Sequence, residues 1–107
     1  MNNTLDNAIK FMYSDAFEIN ARNMRNEIVL TVEINSVAEL YTNTLEFAVE
    51  LAKFKEDMRV EIYSLFLDAP ISLIRYDYRD IMEDGGLDIY KFACSLIATL
   101  YEEFELR

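Results

Sequence analysis

Histidine and tryptophan are absent from the 107 residues, cysteine and proline occur once each, glycine occurs twice, and bases are half as numerous as acids. Each shortage removes a class of function. Without histidine, the Ser–His and Cys–His pairs of hydrolases lack their usual general base; a Ser–Lys pair stays formally open, but nothing marks one. A single cysteine, Cys94, forms no intramolecular disulfide and builds no Cys-based zinc site. A reducing, cytoplasmic setting is the simpler expectation. Phosphate-cradling loops need several glycines at fixed spacing so that backbone N–H groups can approach the ligand, and the adjacent pair Gly85-Gly86 meets no such fingerprint.

The charge deficit excludes more. Ten Lys and Arg against twenty Asp and Glu give a formal net charge of -10, with no basic cluster. Neither nucleic-acid phosphates nor an anionic membrane surface is therefore an expected direct partner. No apolar run approaches the roughly eighteen residues needed to span a bilayer. The opening "MNNTLDNAIKFMYSD" lacks the basic start and unbroken apolar core of a signal peptide.

Apolar material is plentiful: 52% of residues are hydrophobic, with seven Phe and seven Tyr, far too many for a disordered chain. The length fits one compact domain, residues 1–107, with no linker, repeat or low-complexity tract. From Thr4 to about Ala21, Leu5, Ala8, Ile9, Met12, Ala16 and Phe17 recur at three- and four-residue steps, which predicts an amphipathic helix capped by Asn3 or Thr4. In "NEIVLTVEIN", residues 26–35, Ile28, Leu30, Val32 and Ile34 alternate with Glu27, Val29, Thr31 and Glu33, and the β-branched density predicts a strand. Ser36 and Glu39 have capping-box spacing and open a long central helix within residues 35–57, apolar over more than half its circumference. "RVEIYSLFL", residues 59–67, reads as a second strand, although Met58, Ile62 and Leu65 would also extend the helix.

Asp68-Ala69-Pro70 has the residues of a helix start, with Asp as cap and Pro in the first turn; Ile71, Ile74, Tyr78, Ile81 and Met82 would line one face as far as a left-handed stop at Gly85. Asp88 is expected to cap a last helix whose apolar face runs from Ile89 to Phe104. The expected fold is α+β and mainly helical, about four helices with two short strands; an all-α bundle is the alternative.

On the central helix, only a narrow strip can face water, and it carries Glu39, Asn43, Glu46, Glu50, Lys53 and Asp57. Such a strip is ordinarily a solvated edge. The bias of sign argues for more, because Glu46 and Glu50 repel each other at four-residue spacing where a Lys would stabilise the helix. A second cluster, Asp77, Asp80, Glu83, Asp84 and Asp88, has helical spacing rather than the alternation of a calcium loop, so it reads as a helix end and cap, not a metal site. Glu102, Glu103 and Glu105 occupy the C-terminal turns of the last helix, where the helix dipole disfavours anions by a few tenths of a kcal/mol each. Cys94 reads as a buried structural thiol, with no basic neighbour to stabilise a thiolate.

At "DYRDIMEDGGLDI", residues 77–89, Asp77, Arg79, Met82, Gly86 and Asp88, together with chain size and acidity, resemble the Ocr family of phage anti-restriction proteins. That resemblance implies a dimeric DNA mimic that blocks restriction enzymes. It also implies an all-helical fold, against the strand reading of residues 26–35.

These features predict a non-enzymatic, acidic protein-binding domain without cofactor or metal. Its partner is the basic cleft of a host protein, such as a DNA-processing enzyme, and the chain is expected to form a homodimer. The expected contact residues are Glu39, Glu46, Glu50, Asp57, Asp80, Glu83, Asp84, Glu102 and Glu105. The competing expectation is a small oligomeric structural or accessory subunit that docks through apolar helix faces.

Overall fold

Alternation of side chains governs the first described element. The computed structural model describes residues 16–83, 85–86 and 88–105. Phe17–Arg22 forms strand β1, in which Phe17, Ile19 and Ala21 are fully buried while Glu18, Asn20 and Arg22 point to the opposite face. Strand β2, Ile28–Ile34, returns antiparallel beside it. The turn between them is set by Asn23, whose Oδ1 accepts from the N–H groups of Arg25 and Glu27, both at 3.0 Å, and by Asn26 in the left-handed region at φ 67°.

Helix α1, Val37–Ala52, starts where its sequence signal lies: the Ser36 hydroxyl accepts from the N–H of Glu39. The reciprocal bond goes one residue further back than the standard capping box, from the N–H of Asn35 to Glu39 Oε2 at 2.9 Å. Strand β3, Met58–Ser64, and strand β4, Ala69–Tyr76, form a second hairpin. Helix α2, Tyr78–Met82, is capped by Asp77, whose Oδ1 accepts from the N–H groups of Arg79 and Asp80. Helix α3, Asp88–Glu105, follows a turn that contains Gly85 at φ 71°.

The strands form one sheet in the order β2-β1-β3-β4, every neighbouring pair antiparallel. Strands β2 and β3 therefore run parallel on either side of β1, and α1 is the crossover between them. Leu40, Phe47, Ala48 and Leu51 of α1 and Ile89, Phe92, Ala93, Leu96 and Leu100 of α3 share one core with the buried sheet residues. Full burial of each large aliphatic or aromatic side chain stabilises by about 1.5–3 kcal/mol, so this layer of two helices on one sheet face supplies most of the driving force.

The structure corrects the expected architecture. The chain is α+β, but it is not a mainly helical domain with four helices and two strands, nor an all-α bundle: the described residues hold a four-stranded antiparallel sheet and three helices. Two predicted helices account for the difference. The one expected from Thr4 to Ala21 is strand β1 over its described end, because Phe17, Ile19 and Ala21 keep a period of two; residues 4–15 lie outside the described residues. The one expected from Ala69 is strand β4. Asp68 sits at φ 53° in the hairpin turn, and Pro70, which donates no N–H, is accommodated on an edge strand. A register shift between Ile62 and Tyr63 opposite Ile71 breaks the strand alternation and leaves Ile71 and Ile74 three residues apart, which mimics a helix. The central helix ends at Ala52, short of Asp57, and Asp88 is the first helical residue of α3.

Candidate functional site

The expected strip on α1 starts from residues at steps of three and four. Glu39, Asn43, Glu46 and Glu50 lie within about 60° of one another on the helix, at about 100° per residue. The buried Leu40, Phe47 and Leu51 turn the adjacent face down onto the sheet. Asn43 locates the strip: its Nδ2 donates to the backbone carbonyl of Glu33 on β2 at 3.0 Å. Glu39 points the same way, holding the N–H of Asn35 just beyond the end of β2. The acidic flank of α1 therefore overlooks β2, an edge strand of the sheet.

Within this flank, Glu46 and Glu50 are exposed and Glu39 is half-buried. Glu50 pairs with Lys53 at 2.8 Å, with both side chains largely in solvent, which contributes well under 1 kcal/mol. Glu46 has no ion pair among the described residues. Glu46 and Glu50 share a shallow groove with Leu45 and Val49. The apolar residues beside them, Leu45 and Val49, are also uncovered, each 41% exposed, and Tyr41, further round the helix, is 53% exposed. The excess apolar arc of this helix is thus an outward surface rather than a second buried face.

The remaining predicted contact residues fall elsewhere. Asp57 follows α1 in a loop, and its Oδ1 accepts from the N–H of Tyr78 at 2.9 Å, which ties the start of α2 to the start of β3. Asp57 and Asp80 line one open cleft of about 640 Å³ together with Lys55, Glu56, Asp77, Tyr78 and Arg79. Glu83 lines a neighbouring depression with Asp80 and Arg79. Asp84 lies outside the described residues. Glu102 is exposed on α3, and Glu105 ends that helix. The eight described acids thus divide into a flank on α1, a pair of adjoining depressions around α2, and the C-terminal turns of α3. No group of three or more Asp, Glu, Cys or His residues able to hold a metal ion occurs among the described residues. Cys94 corrects another expectation: it is exposed, because α3 buries Ile89, Phe92, Leu96 and Leu100 and turns Cys94 outward.

One polar cluster escaped sequence reasoning. On the sheet face opposite the helices, Glu61 Oε1 accepts from Asn20 Nδ2 at 3.2 Å and from Arg22 Nε and Nη2, both at 3.3 Å. Asn20 Oδ1 in turn accepts from the Thr31 hydroxyl at 2.7 Å. Asn20 is 3% and Glu61 8% exposed, so this network ties the three strands β2, β1 and β3 through buried polar groups. The period-two placement of Asn20 and Arg22 was its only signal in the chain, and the partner Glu61 is forty-one residues from Asn20.

Two tyrosines are shifted. The Tyr63 hydroxyl bonds to Asp68 across the β3–β4 turn, and that bond raises its pKa. Burial raises that of Tyr76, with a further contribution from Tyr78. Tyr76 packs edge-on against Phe92 with ring centroids 5.2 Å apart, and its hydroxyl has no partner among the described residues.

Comparison of the chain with protein-family models, with curated proteins and with solved structures finds no match. Among the described residues, no helix is long and apolar enough to cross a membrane.

Proposed function

We propose that the chain is a non-enzymatic, acidic protein-binding domain whose α1 flank captures a partner with a basic surface. The observation that carries this reading is the location of the strip. Glu46 and Glu50 stand exposed beside uncovered apolar residues, on a helix that overlooks a sheet edge unpaired among the described residues. A purely solvating edge has no need to place repelling carboxylates at four-residue spacing. The net charge of -10 favours a basic partner over another acidic one and would speed association with it at low salt. The partner class that fits best is a nucleic-acid enzyme, whose cleft carries Lys and Arg for phosphates; occupation of that cleft would inhibit it, as an anti-restriction protein does.

The test is capture from a bacterial lysate by the tagged chain at low and high salt, with the double reversal Glu46→Lys and Glu50→Lys as control. The reading requires a nucleic-acid enzyme that is captured by the wild type, is lost at high salt, and is lost in the reversal while circular dichroism stays unchanged. Capture indifferent to both salt and reversal removes it.

The exposure of Tyr41, Leu45 and Val49 favours a second reading, an accessory subunit or homodimer that docks through this apolar stripe. Apolar association holds or strengthens as salt rises, so concentration-dependent self-association that persists at high ionic strength would support it.

A further inference from the structure

Strand β2 has a neighbour on one side alone among the described residues. Its backbone groups alternate in direction along the strand, so one set faces β1 and the other faces outward. The carbonyl of Glu33 is held by Asn43 rather than by β1, which identifies the outward set, and Thr31 belongs to it two residues earlier. The opposite edge, β4, carries Pro70, which interrupts a ladder. Strand β2 has no proline over its seven residues. Among the described residues it is the proline-free edge left unpaired.

What protects this edge also selects what can occupy it. A second copy pairing β2 with β2 would bring two α1 flanks together, with Glu39, Glu46 and Glu50 of each copy facing their counterparts. Like charges at close range disfavour that pairing. An added strand with Lys or Arg on its helix side meets the same carboxylates as partners. The spacing fits: Glu46 and Glu50 are separated by a rise of about 6 Å along α1, and alternate residues of a strand by about 6.7 Å.

We infer that the β2 edge is a strand-addition site for an extended segment of a partner protein, in which Lys or Arg alternate with apolar residues. The backbone of that segment pairs with Thr31 and its neighbours, and its basic side chains lie along the acidic flank of α1. This rests on the reading of that flank as a docking surface and names the kind of segment it docks.

The test uses the full chain and a nine-residue peptide alternating Lys and Val, with three comparison arms: a Glu/Val peptide, a Lys/Val peptide N-methylated at alternate amides, and the protein variant Thr31→Pro. The N–H of Thr31 faces away from β1, so proline there removes no ladder bond to β1, although it deletes the hydroxyl that Thr31 donates to Asn20 Oδ1. Saturating Lys/Val peptide is expected to slow amide exchange at Thr31 about tenfold or more. Both N-methylation and Thr31→Pro are expected to weaken binding about tenfold or more, and the Glu/Val peptide to leave no measurable binding. Should Thr31→Pro fail to fold, the N-methylated peptide carries the same test without altering the protein. Binding with unchanged Thr31 exchange, or undiminished by N-methylation, overturns strand addition while leaving the acidic flank as a docking surface. Equal binding of the Glu/Val peptide, or Thr31 protected in a self-associated form without peptide, overturns the charge selection. If Glu46→Lys with Glu50→Lys leaves Lys/Val binding and lysate capture both intact, the broader reading of the flank falls as well.

Discussion

Replacing Glu61 by Ala should destabilise the domain by about 2 kcal/mol, although the residue lies on the sheet face that the helices leave uncovered. The deletion removes three contacts to one oxygen, from Asn20 Nδ2 and from Arg22 Nε and Nη2, at 3.2–3.3 Å. Asn20 is 3% exposed, so its amide does not regain water freely, and a buried donor left short of a partner costs about 1–3 kcal/mol. It keeps a bond to Glu18 Oε1 at 3.3 Å, which places its share near the low end. The Arg22 side chain is 30% exposed and keeps its bond to the Asn26 carbonyl, so its share is that of a partly screened pair, about 1 kcal/mol or less. Urea unfolding followed by circular dichroism measures the sum, with an unchanged slope as the sign that the transition stays two-state. Glu61→Gln retains an oxygen for Asn20 while losing the charge and should fall between wild type and Ala. A double-mutant cycle with Arg22→Ala should return a coupling of about 1 kcal/mol. A loss below about 0.5 kcal/mol for Glu61→Ala would refute the reasoning and mean that Asn20 is solvated once Glu61 is gone.

Tyr76→Phe removes a buried hydroxyl that has no partner among the described residues, so stability at neutral pH should hold or rise by up to about 1 kcal/mol. Because burial raises the folded pKa of Tyr76 above the unfolded value of about 10, its contribution is complete below that pH and declines as pH rises through the folded value; alkaline unfolding should begin later in the Phe variant. Leu51→Asp puts a charge at a fully buried position on α1 and should abolish the cooperative urea transition, whereas Glu46→Lys with Glu50→Lys on the outward flank should leave the unfolding free energy within about 0.5 kcal/mol of wild type.

The elements that the sequence foretold share a property: their signals are local. The Ser36–Glu39 cap, the alternation of residues 28–34 and the left-handed Gly85 each rest on residues a few positions apart, and each stands in the structure. Strand β4 was illegible because the residues that make it a strand are its partners on β3, while Pro70 and the Ile71–Ile74 spacing locally resemble a helix start. Strand β1 was absorbed into the apolar periodicity that precedes it. The candidate site divides in the same way. That Glu39, Glu46 and Glu50 share one helix flank followed from spacing; that this flank overlooks the β2 edge did not, because a bond between Asn43 and the Glu33 carbonyl decides it. Asp57 left the group because Lys53 caps the helix and the chain turns at Lys55, φ 55°.

By itself the sequence determined the quantities that add residue by residue: an acidic chain of net charge -10, apolar enough to fold, without the histidine that most hydrolases use as a base. It also determined which residues share a face wherever the local period was read correctly, since helix and strand periods are properties of the backbone. Only the tertiary structure decided which of two competing periods won, which acids meet in space, and that the acidic flank lies over a sheet edge unpaired among the described residues. Those outcomes depend on contacts between segments tens of residues apart, such as the pairing of β1 with β3 and the seating of α1 over β2, whose burial outweighs local preference.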